Sequence, residues 1–184
     1  MPEAEQIGLF IHLVAVLALG AGIGLSVVTL LMMRGASTVQ ELRSWGGLGK
    51  LMSQYQVMPA IALVLLLSGG YLVDKVGEEM SEGWIGLSAL ALVAAVTVGL
   101  FVITPRMKAI GMAAGPAPDG PVPSAIAAQV REPLILGAAV GNSMIALAII
   151  WNMTIQPGLV GAALAIVVLV GLGWAAAYSP LLRE

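Results

Sequence analysis

"GLFIHLVAVLALGAGIGLSVVTLLMM", residues 8–33, decides the fold. This run exceeds the roughly 20 apolar residues that a bilayer-spanning helix needs. It does not alternate with period 2, so it is not a strand facing two environments. The segment before it, "MPEAEQ", is acidic, whereas a cleaved secretory leader has a basic start. The expectation is a retained membrane helix.

The rest of the chain follows the same rule. Of its 184 residues 59% are hydrophobic and only 10% are charged, with a mean hydropathy of +1.00. Soluble domains carry about 25% charged residues, so lipid is the solvent for much of this surface. A formal charge of -2 offers no electrostatic footprint for nucleic acid. The absence of cysteine removes disulfides, thiolate metal sites and cysteine nucleophiles.

Four further apolar runs, residues 55–73, 84–103, 133–153 and 158–178, are each near the length of a span. The predicted fold is all-α and membrane-integral. It is a five-helix bundle, a four-helix core plus a C-terminal span, in one domain covering 1–184. The connection "STVQELRSW" starts a short interfacial helix capped by Ser37 or Thr38. The stretch "GPAPDGPVPS" reads as a flexible cytoplasmic linker over about 113–124, and "SAIAAQVRE" restarts a helix leading into the fourth span.

Charge alternates between connections. The first holds Arg34, Arg43 and Lys50 against Glu41, and the third holds Arg106, Lys108 and Arg131 against Asp119 and Glu132. The second is acidic, with Asp74, Glu78, Glu79 and Glu82 against Lys75. Lysine and arginine favour the cytoplasmic side. The expected topology in the cell membrane is therefore an external N-terminus and a cytoplasmic C-terminus. Aromatic residues, which favour the interfaces, agree. Tyr71, Trp84 and Trp151 fall at outer ends, and Trp45, Tyr55, Trp174 and Tyr178 at or near inner ends.

Helices in lipid associate through small residues and hydrogen bonds. Gly20-x-x-x-Gly24, Gly137-x-x-x-Gly141 and Gly161-x-x-x-Ala165 offer such faces, for packing within one bundle or against a second copy. Intramembrane polar residues are few: His12, Ser26, Thr29, Ser68, Ser88, Thr97, Asn142, Ser143 and Asn152. No carboxylate pair and no catalytic triad can be drawn from them, and no catalytic residue is assigned.

His12 is the only histidine. It shares a helical face with Val16, Leu19, Gly20 and Ile23. One reading is a hydrogen bond to a carbonyl or to Asn152 that locks two helices. The other is a metal or haem ligand. Depth selects its companions. Met58 enters from the inner side, roughly 20 Å away at a rise of about 1.5 Å per residue. Met153 and Asn152 end the fourth span near His12's level. The candidate site is thus His12 and Met153 as ligands, for haem b or for soft copper, with Asn152, Tyr71 and Trp84 around them.

The stretches "LFIHLVAVLALGAG", "YQVMPAIALVLLLSGGYLV", "GWIGLSALAL…VGLFVITPRMKAIG" and "AIIWNMTIQPG" resemble a family of small predicted integral membrane proteins whose role is not established. That family is similar in layout to the HemJ-type protoporphyrinogen oxidases and to the membrane domain of CopD-type copper-resistance proteins. The resemblance implies a four-helix membrane core, with His12 at the position of a haem b ligand. Three roles are therefore open: haem-binding redox or haem handling through His12, a non-catalytic accessory subunit with membrane-protein partners or a second copy, and copper handling.

Overall fold

The computed structural model describes residues 3–54, 57–76, 79 and 81–179. Among these, five helices are long and apolar enough to cross a membrane: Ala4–Gly35, Val57–Lys75, Gly83–Ala114, Ser124–Ile155 and Leu159–Ala177. The five spans expected from sequence are present. Tyr55 and the C-terminal Glu184, used in the topological reading, lie outside the described residues.

The elements are α1 (Ala4–Gly35), α2 (Val39–Gln54), α3 (Val57–Val76), α4 (Gly83–Val98), α5 (Thr104–Ala114), α6 (Ser124–Val130), α7 (Pro133–Ile155) and α8 (Leu159–Ala177). A π-helical turn, Gly99–Ile103, joins α4 to α5. The third helix thus runs on to residue 114, well past the expected end at 103. Pro105 explains how. Proline has no N–H to donate and its ring clashes with the carbonyl one turn back. Widening the preceding turn relieves the clash without ending the helix. The Arg106 guanidinium donates to the Val102 carbonyl at 3.1 Å, supporting the same turn.

α1 and α3 pack antiparallel. A side chain at Gly8 would meet the Tyr71 ring, and one at Gly22 would overlap Met58. The buried residues of α1 are Gly8, His12, Ala15, Leu19 and Gly22, then Thr29, Leu30 and Met33. Their three-and-four spacing makes a continuous seam. Gly20, expected to mark the contact face of His12, is instead exposed, and a methyl group there would meet no atom within 4 Å. Gly8 and Gly22 are the glycines of close approach.

α7 and α8 form a hairpin. Gln156 adopts the left-handed conformation that closes α7, and Pro157 then prevents its continuation. Trp174 of α8 lies over Gly137 and Gly141 of α7, so this GxxxG pair is a seat within the chain.

The basic end of the bundle carries a cap. Val39, Leu42, Ile110, Ala114, Ile126 and Val130 are buried there with Leu30 and Met33 of α1. α2 begins with a reciprocal capping box. The Glu41 N–H donates to Thr38 Oγ1 at 3.3 Å, and the Thr38 N–H donates back to the Glu41 carboxylate. The linker departs from expectation. The Arg43 guanidinium donates to the carbonyls of Ala114 and Ala117 and pairs with Asp119 at 2.7 Å. Backbone bonds from Val39 to Gly120 and from Val122 to Ser37 stitch it to the start of α2. Residues 115–123 are thereby tied down on α2. The span Ser124–Ile155 consists of α6 and α7, with a break at Arg131 and Glu132 and Pro133 opening α7.

Candidate functional site

His12 is 7% exposed. Its Nδ1 lies 3.0 Å from Ser68 Oγ on α3. The Ser68 hydroxyl gives its own hydrogen to the Val64 carbonyl at 2.7 Å. With that hydrogen given to Val64, the tautomer that satisfies both side chains has Nδ1–H donating to Ser68. In that tautomer Nε2 keeps its lone pair. A methyl at Gly69 would sit 3.4 Å from the imidazole Cε1, so the glycine lets the ring lie close against α3. One turn toward the start of α1, Tyr71 packs on Gly8, and the Lys75 ammonium lies 5.7 Å from the centre of its ring.

Of the expected site residues, the structure places Tyr71 beside His12 along the α1–α3 seam. Asn152 belongs to another pair. It is fully buried, and its amide donates to Ser88 Oγ of α4 at 3.4 Å. Trp84 lies one turn before Ser88 on α4. Met153 follows Asn152 and is 38% exposed, off the Asn152–Ser88 seam. Met58, set against Gly22, is ten residues along α1 from His12, about 15 Å at the helical rise. The partner of His12 is thus Ser68 rather than Asn152. Among the described residues no group of three His, Cys, Asp or Glu converges as metal ligands would.

A cavity of about 150 Å³ lies toward the basic end of the bundle, between α1, α3, α4, the π turn, the start of α5 and α7. Its walls are mostly Leu, Ile, Val and Ala, with polar groups from Ser26, Thr29, Thr104 and Asn142 and the thioether of Met58. The Asn142 amide donates to the Ala95 carbonyl of α4 at 3.0 Å. In the sequence, Thr29 and Asn142 stand only as scattered polar residues. The one further signal is Pro105, which marks the turn where the helix widens.

The family described as "Predicted integral membrane protein (DUF2269)" matches residues 7–157. The chain belongs to this family. The match takes in α1 to α7 and stops before α8, so the hairpin partner that brings Trp174 lies outside it. No curated protein and no solved structure matches the chain.

Proposed function

We propose that this family member is a non-catalytic accessory subunit of the cell membrane, with its acidic end and N-terminus outside and its capped basic end in the cytoplasm. One observation carries the reading. Three buried polar side chains of the spans each join two helices: His12 to Ser68, Asn142 to the Ala95 carbonyl, and Asn152 to Ser88. Hydrogen bonds between helices are the glue of a bundle in lipid. Side chains that bridge helices in this way support a scaffold. The orientation follows from Arg34, Arg43, Arg106, Lys108 and Arg131, which belong to the connections and helix ends of one end, while Asp74, Glu79 and Glu82 sit at the other.

The test is a spectrum and a native gel. The purified protein is expected to be folded and colourless, and in native-membrane extracts to run above the mass of one 18.8 kDa chain. Reporter fusions after Asp74 should read outside, and those at Glu184 inside.

A second reading keeps His12 as a haem b or copper ligand. What favours it is the free lone pair on Nε2 behind a fixed Nδ1–H, the arrangement that orients ligating histidines. A companion ligand is what this reading lacks, since Met153 is partly exposed beside the α4–α7 seam. A Soret band lost in His12→Ala would establish haem; metal retained after chelation and lost in the same variant would establish copper.

A further inference from the structure

Five hydroxyls of the spans behave alike. Ser26, Ser68, Thr97, Ser143 and Thr154 each donate to the carbonyl four residues back on their own helix. This is the ordinary way for a hydroxyl to satisfy itself in lipid. Thr29 does not. Its residue is 1% exposed, its Oγ1 has no hydrogen-bond partner, and it lines the cavity described above. A buried hydroxyl left unpaired is costly, and one on a residue that lines a cavity calls for a partner.

The space itself has a shape. An apolar cavity of about 150 Å³ is large enough for one benzene-sized ring. The cavity is not sealed, and Leu100, one of its walls, is 43% exposed. The wall at that side is the π turn Gly99–Ile103, a widening that recurs at functional sites. The occupant would therefore be apolar over most of its surface and carry one oxygen.

We propose that this cavity binds a single-ring, membrane-soluble molecule bearing a hydroxyl or carbonyl oxygen, which hydrogen-bonds to Thr29 Oγ1. The ring lies against Leu19, Ile23, Leu30 and Leu92, and the oxygen meets the unpaired threonine hydroxyl. This site is at the opposite end of the α1 seam from His12 and does not depend on that residue's role.

The experiment uses the full chain in lipid nanodiscs and two probes of the same shape, p-cresol and p-xylene, which differ by a hydroxyl for a methyl. Saturable binding is read by ligand-observed NMR with titration. The intact protein should prefer p-cresol by roughly fivefold, the equivalent of one net hydrogen bond of about 1 kcal/mol. Thr29→Val should bring the two affinities together and raise the melting temperature of the empty protein, because the unpaired hydroxyl is gone. Thr29→Ser keeps the hydroxyl and should keep the preference. Gly99→Leu adds bulk at a glycine that lines the cavity and should weaken binding of both probes. The proposal is overturned if neither probe saturates, as a water-filled cavity would give. It is also overturned if Thr29→Val retains the preference.

Discussion

His12 Nδ1 and Ser68 Oγ meet 3.0 Å apart across the α1–α3 seam, although 56 residues separate them in the chain. Two glycines, Gly8 and Gly22, bring the helices close on either side, so the bond forms at a depth where water cannot compete. Interhelical hydrogen bonds of this kind average about 0.6 kcal/mol in a bilayer and reach about 1.7. A double-mutant cycle with His12→Ala and Ser68→Ala, followed by unfolding in mixed micelles, should give a coupling energy in that range. A coupling near zero would mean that the two groups are neighbours without being partners.

The start of α2 should respond to pH. The Ser37 N–H and hydroxyl and the Thr38 N–H donate to the Glu41 carboxylate, and these bonds hold its pKa below the ordinary carboxylate value. A carboxyl depressed on folding stabilises the fold above its unfolded pKa, about 4.3. That contribution disappears as pH falls through the lower, folded value. Amide exchange at Ser37 and Thr38 should therefore accelerate below about pH 4. In Glu41→Gln, which cannot ionise, the same amides should exchange with no such added step.

Much of this architecture is readable from the sequence, for a simple reason. Each span is a local feature, a run such as 8–33 that needs lipid whatever its neighbours do. The capping box at Thr38 and Glu41 is equally local. What cannot be read is pairing. Ser68 stands out as a polar residue near two glycines, yet nothing within α1 says that α3 rather than α7 faces His12. Counting turns draws the face of His12 through Gly20. The seam instead follows Gly8, Ala15, Leu19 and Gly22, because close approach to Tyr71 and Met58 selects those glycines. Thr29 is harder still, since leaving its own carbonyl unbonded is a matter of side-chain rotation and not of sequence.

The linker shows the same limit and yields a prediction. Pro and Gly in "GPAPDGPVPS" point to flexibility, but Arg43, more than seventy residues earlier, holds Ala117 and Asp119 within it and Ala114 just before it. Arg43→Lys keeps the charge but loses the planar fork that reaches them together. Limited proteolysis should then cut between residues 115 and 123 several times faster than in the parent, while the spans stay protected. Equal cutting rates would show that the backbone bonds of Val39 and Val122 suffice without the guanidinium.

The glycine pairs of α1 and α7 make opposite predictions despite sharing one motif. A Cβ at Gly137 would lie 2.7 Å from Cζ3 of Trp174, a ring that is itself stacked on Tyr178 at 5.8 Å. Gly137→Ala must push the indole and loosen α8, at a cost of about 1–3 kcal/mol typical of overpacking. At Gly20 nothing lies within 4 Å, so Gly20→Ala should leave the monomer unharmed and gain up to about 1 kcal/mol of helix propensity. Near-UV circular dichroism reports the indole, and micellar unfolding reports stability. The expected pattern is a changed aromatic signal and lower stability for Gly137→Ala, with neither change for the fold of Gly20→Ala. A loss of stability in Gly20→Ala that depends on protein concentration would instead reveal a second copy packed on the open face of α1.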